Sequence, residues 1–164
     1  MNIEKLFSGQ LPSRLVIGFV ANAAFNGTNN RNPFNFAHYN LMEISVYSDG
    51  QQQYGMKPLS TDFTNSLYIR AFNTLFSGTG KVFKDEGNGI SRTAFSQGNA
   101  LYTFDLSLDL AEEDHYNLVK QGSIRLVPKF RQALPENVSV IAYAEFENLI
   151  EIDRNRNVIY DFSV

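Results

Sequence analysis

The 164-residue chain has no cysteine and no tryptophan, five prolines and only two histidines, His38 and His115. Without cysteine, disulfide frameworks, thiolate metal sites and cysteine nucleophiles are excluded. No stretch approaches the ~20 consecutive apolar residues of a membrane helix, so no membrane span is expected. Basic charge is scarce as well. The 14 Lys and Arg are outnumbered by 17 Asp and Glu, for a net charge of −3, and no basic stripe marks a specific nucleic-acid surface. The N-terminus, Met1-Asn2-Ile3-Glu4-Lys5-Leu6-Phe7, lacks the basic segment and apolar run of a secretory leader. Synthesis in the cytoplasm or nucleus is therefore expected, and the glycosylation sequons at Asn26 and Asn137 are taken as chance tripeptides.

What is present is a period of two, the mark of half-buried strands. Leu15, Ile17 and Phe19 alternate with Arg14, Val16 and Gly18, and both sets are largely apolar, which predicts a central strand. Met42, Ile44 and Val46 alternate with Glu43, Ser45 and Tyr47. The following Asp49-Gly50 tolerates the positive φ of a type I′ hairpin turn, so the chain should return as a strand to about Lys57. Tyr102, Phe104 and Leu106 predict another strand, as do Ile124, Leu126 and Phe130. In the latter, Pro128 has no N–H to donate and predicts an edge or a break. Val138, Val140, Ala142, Ala144 and Phe146 oppose Ser139, Tyr143, Glu145 and Glu147, with Ile141 as the apolar exception on the outer face. Ile150 and Ile152, a polar turn over 153–156, then Val158, Tyr160 and Phe162 predict a terminal hairpin. About eight strands in one domain spanning 1–164 suit a two-sheet sandwich.

One segment follows a helical period. Phe63, Leu67, Ala71 and Leu75, with Tyr68, Phe72 and Phe76 beside them, form a wide stripe over residues 62–77. Ser60, Thr61 or Asp62 could cap its start and Gly78 its end. Two long stretches remain irregular: Ala21 to Asn40, rich in asparagine and aromatics, and the glycine-rich Gly78 to Asn99. Loops of this length in a compact domain are functional or packed against something.

Motifs that could carry chemistry fail on spacing. Gly78-Thr79-Gly80-Lys81 lacks the first glycine of a phosphate loop, has Val82 where Ser or Thr is needed, and follows a helix instead of opening one. Asp85-Glu86-Gly87-Asn88-Gly89 lacks the distal glutamate of a calcium loop, since position 96 is Ser. Asp109, Glu112, Glu113 and Asp114 have the spacing of a helix cap, with His115 at the end of the same segment. No His-x-His pair and no Gly-x-Ser-x-Gly elbow occurs. The expectation is a protein without catalytic residues, metal site or cofactor.

Several ordered runs carry a resemblance. They are Gly9-Gln10-Leu11-Pro12 leading into Leu15-Val16-Ile17-Gly18, Ala23-Ala24-Phe25-Asn26-Gly27, and Asn32-Pro33-Phe34-Asn35-Phe36 with His38-Tyr39-Asn40-Leu41. Gly78-Thr79-Gly80-Lys81 with Asp85-Glu86-Gly87-Asn88 follows, then Tyr143-Ala144-Glu145-Phe146 and the run from Ile150 to Val158. From about Phe7 to Phe162 the chain resembles the C-terminal part of the capsid-like proteins of Polinton/Maverick elements and adintoviruses. The resemblance implies an eight-stranded antiparallel jelly-roll sandwich, the second of two in a double jelly-roll major capsid protein. Members of that family are longer, with a further region before the equivalent of Leu6, and three subunits form a pseudo-hexagonal capsomer. The implied role is a structural virion-shell domain whose partners are copies of itself, in a trimer or larger, or a companion jelly roll. Two inferred tight hairpins, near Asp49-Gly50 and Arg154-Asn155, fit a jelly roll only as excursions; otherwise the sandwich is of another kind.

The competing expectation is a binding module without catalysis, since loop asparagines and aromatics suit carbohydrate or protein ligands. Candidate interface residues are Phe34, Phe36, His38 and Tyr39, then Asp85, Glu86, Arg154 and Arg156. Internal loop packing is the commoner fate of clustered aromatics. For the arginines, guanidinium forks pair well with a neighbour's carboxylates.

Overall fold

The computed structural model describes residues 2–52, 57–82, 84–107, 120–148 and 150–160. Asp109, Glu112, Glu113, Asp114 and His115, the return strand beyond Gln52 and Phe162 fall outside them. The chain folds as an antiparallel β-sandwich. One sheet has the order β1 (Ile3–Gln10), β7 (Gln121–Phe130), β3 (Leu41–Ser48) and β4 (Gln51–Gln52), with β5 (Leu59–Ser60) also on β3. The facing sheet has the order β6 (Leu101–Asp105), β2 (Arg14–Ala21) and β8 (Val138–Glu145). A separate pair, β9 (Ile150–Ile152) and β10 (Val158–Tyr160), follows β8.

The principal strands change sheet at each step: β1, β3 and β7 lie in one, β2, β6 and β8 in the other. That is the winding of a jelly roll. The two tight hairpins are excursions from it, one at the β3–β4 edge and one beyond β8. At the first, Asp49 (φ +50°) and Gly50 (φ +79°) take the left-handed pair that a type I′ turn requires.

The core lies between the sheets. Leu15, Ile17, Phe19, Tyr102 and Phe104 meet Leu41, Ile44, Val46, Ile124 and Leu126, all buried. β2 is central, flanked by β6 and β8. Its outer face is covered too: Val20, Ala21 and Ala24 form a second cluster with Phe36 and Ile141, which gives Ile141 an apolar environment.

Pro128 takes the second of its two expected forms, and the start of the helix is corrected. Pro128 is not on an edge: β7 runs between β1 and β3. The break is there instead. The β3–β7 register slips between Leu41 and Glu43, opposite Phe130 and Lys129, and β1 reaches only to Leu126. Pro128 thus lies beyond the β1 ladder and beside a bulge, where a missing N–H costs little. The helix begins at Ile69, not Asp62, and runs as α2 (Ile69–Ser77). Residues 62–67 form a closed turn, with Asp62 and Leu67 exchanging backbone hydrogen bonds at 3.0 and 2.8 Å and Ser66 at φ +58°. The Asp62 carboxylate accepts from the Asn65 N–H (3.1 Å) and Nδ2 (2.9 Å). Such local bonds give the backbone an alternative to the first helical turn.

Two short helices stand in the stretches expected to be irregular. α1 (Asn22–Phe25) follows β2 directly, and α3 (Arg92–Ser96) buries Phe95. The Ser91 hydroxyl caps α3, accepting the Ala94 N–H at 3.1 Å. β1 shows no strict alternation because its own register slips between Ile3 and Phe7, so Leu6 and Phe7 both pack against the core.

Candidate interface

The loop of residues 26–40 is exposed over 26–35 and packs down from Phe36 to Asn40. Its backbone at Phe36 enters a bridge with Asn99: Phe36 N–H donates to the Gly98 carbonyl (2.7 Å) and the Phe36 carbonyl accepts from Ala100 N–H (2.9 Å). The Phe36 ring lies over Gly18, so close that a β-carbon there would be 2.6 Å from Phe36 Cδ1. His38 stacks on Phe63 with ring centres 4.0 Å apart and planes 8° apart. Its Nδ1 accepts the Asn40 N–H at 2.9 Å, and burial holds its pKa below the ordinary value. Tyr39 (φ +45°) and Asn40 (φ +52°) are consecutive left-handed residues that turn the chain into β3. The Tyr39 side chain packs against the main core. Burial and the nearby Glu136 carboxylate raise its phenol pKa, and Arg31 partly opposes them. Arg31 and Glu136 form an ion pair across to the segment before β8.

An aromatic column continues inward from His38. Phe63 stacks on Tyr68 (5.0 Å), Tyr68 on Phe95 (5.8 Å), and Phe95 meets Tyr102 edge-on (6.0 Å). Of the four loop candidates, Phe36, His38 and Tyr39 are therefore largely packing residues, whereas Phe34 is 74% exposed.

The charged candidates are all exposed. Glu86 lies 3.5 Å from Lys81 Nζ, and Asp85 is beside it. Arg154 and Arg156 are at the tip of the β9–β10 hairpin, Arg156 with φ +65°. The tip is organised by Asp153, which accepts from the Asn157 N–H and Nδ2, each at 2.8 Å; these bonds lower its pKa. Among the described residues, no hydrogen bond, ion pair or ring contact joins Phe34, the Asp85–Glu86 pair and the two arginines. They are separate surface points.

The sequence reading missed the apolar part of the arm. Ile150, Ile152, Val158 and Ile159 are each more than half exposed, and none belongs to either buried cluster. Their alternation was visible, but two-stranded alternation does not tell a buried ribbon from a projecting one.

Among the described residues no three His, Asp or Glu side chains gather in a metal-binding group. No described helix is long and apolar enough to cross a membrane. The fold is thus an antiparallel sandwich whose exposed features are loops, a hairpin and strand edges. No family model matches the chain, and no solved structure matches it. An uncharacterised protein of Caenorhabditis elegans is 30% identical over 159 residues, which cover 95% of the chain. The chain spans 38% of that relative's length.

Proposed function

We propose that the chain is a structural jelly-roll domain of a virion-like shell, assembled from copies of itself into capsomers. The observation that carries the reading is the winding: principal strands that alternate between two antiparallel sheets, in a sequence whose ordered runs resemble capsid-like proteins of Polinton/Maverick elements. The loops support it. Phe36, His38 and Tyr39 hold a long surface loop in one shape, which suits a tile whose loops make lateral contacts. In this reading the protein has no catalytic step. It is made in the cytoplasm or nucleus and resides in the shell, with the remaining length of its longer relative supplying further contacts.

The test is light scattering with negative-stain electron microscopy on the purified chain over a wide concentration range. Trimers or larger regular assemblies are expected. A strict monomer at the highest concentration, with the fold intact by circular dichroism, would overturn the reading.

A further inference from the structure

The sandwich has two open sides, and the described residues close one. Beyond β6, α2 packs on both β6 and β5 and buries Ala71 and Leu75 in the core. The other side lies between β8 and β1. β8 pairs with β2 along its full length, from Val138 opposite Ala21 to Glu145 opposite Arg14. Its other edge meets no strand among the described residues. Val138, Val140, Ala142 and Ala144 face the core there but remain half-buried, as do Ile3, Leu6 and Phe7 of β1. The corresponding residues of β2, Leu15, Ile17 and Phe19, are fully buried. Among the described residues this layer ends at β8, whereas the opposite layer ends at β1.

The chain carries a strand of the right kind. In β9–β10, Ile152 pairs with Val158 and Glu151 with Ile159, so Ile150, Ile152 and Val158 share one face. They are 65%, 69% and 54% exposed. The hairpin is not paired with its own β8, and the connection between them is fastened to β1. The Phe146 ring packs edge-on to Phe7 at 5.9 Å, and Gln10 Nε2 donates to the Glu147 carbonyl at 2.7 Å. Beyond this point β9 and β10 pair only with each other among the described residues.

We infer that the β9–β10 arm of one copy inserts beside β8 of a second copy, with Ile150, Ile152 and Val158 completing the apolar row of Val138, Val140, Ala142 and Ala144. Running antiparallel to β8, the arm brings Arg154 and Arg156 to the start of that strand. A groove of about 700 Å³ lies there, lined by Asn22, Leu134, Glu136 and Asn137, with Glu136 already paired to Arg31. The occupant thus matches the site in backbone and apolar pattern. The inference rests on the self-association proposed above and names the surface that performs it. Because arm and edge are different patches, the contact is head-to-tail and closes into rings if the rotation allows.

The absence of cysteine supplies the test. Glu151→Cys labels the outer face of the arm; Tyr143→Cys and Ser139→Cys label the outer face of β8. Single variants are mixed pairwise and treated with a short bismaleimide, with sedimentation velocity run on the same samples. Linked heterodimers are expected in the mixtures, at least tenfold above Glu151→Cys alone. Adding Ile152→Asp to the arm variant should lower that yield at least tenfold, with its circular dichroism spectrum unchanged. Equal linking in Glu151→Cys alone, or linking insensitive to Ile152→Asp, would overturn the insertion. Association by sedimentation without mixed linking would overturn it while leaving self-association standing. A strict monomer would remove both.

Discussion

Gly18 is the position at which packing can be tested most sharply. It is on the outer face of the central strand, beneath the Phe36 ring. Its φ is not left-handed, so alanine fits the backbone and the question is one of space alone. An added β-carbon would be 2.6 Å from Phe36 Cδ1, 3.1 Å from Cε1 and 3.0 Å from Leu101 Cδ2. Carbon atoms in contact prefer about 3.5–4.0 Å, so the ring must move by about 1 Å. Overpacking of this kind costs about 1–3 kcal/mol, offset by about 0.5–1 kcal/mol from the lower freedom of the unfolded alanine chain. The net for Gly18→Ala is a loss of about 1–2 kcal/mol. Phe36→Ala should cost about 2–3 kcal/mol, below the fully buried range because the ring is half-buried. With the ring removed, Gly18→Ala should be neutral or slightly stabilising, since only the flexible Leu101 tip remains near. The double mutant should therefore be about 1–2 kcal/mol more stable than the sum of the single losses. Urea unfolding followed by far-UV circular dichroism measures this, since the chain has no tryptophan to report. Additivity to within about 0.5 kcal/mol would refute the claim that the ring lies on the glycine.

Three further outcomes are expected. His38 Nδ1 can accept the Asn40 N–H only while unprotonated, and burial lowers its pKa below the unfolded value of about 6.5. Its contribution is thus complete above that value and lost as pH falls through the folded one; the thermal midpoint should drop between pH 7.5 and 5, and drop less in His38→Phe. The Tyr102 hydroxyl is fully buried with no partner among the described residues, so Tyr102→Phe should raise stability by about 1 kcal/mol in urea unfolding; a loss of that size would reveal an unseen partner. Gly50→Ala forces a side chain into φ +79° at the β3–β4 turn and should cost about 1–2 kcal/mol in the same assay.

The strands with clean alternation were legible because one face of each is buried. β2, β6 and β7 place their expected inward rows in or against the core, and β8 does so from Val138 to Ala144; in β3 the register slip between Leu41 and Glu43 puts Leu41 in the core beside Ile44 and Val46 and leaves the expected Met42 exposed. β1 was hidden by its register slip, which sets Leu6 and Phe7 side by side against the core. The early helix start failed for a local reason: Asp62 and Asn65 bind each other and divert the backbone before Ile69. α3 was short enough for its cap, Ser91, to be lost among other polar residues. At the interface, sequence singled out Phe36 and His38, whose rings turn inward onto Gly18 and Phe63. It passed over Ile150 and Ile152, because exposure depends on where the chain after Phe146 is fastened. That fastening is a tertiary fact.

The ladder between β2 and β8 has a consequence for synthesis. Arg14 reaches its partner Glu145 across 131 positions, and Gln10 reaches Glu147 across 137. At roughly 5–20 residues per second, the ribosome releases the partner of the most buried strand only about 7–26 seconds after that strand emerges. Until then β2 has only one of its two flanking strands, β6. Folding of the sandwich therefore waits for its last third and is slowed by this non-local pairing.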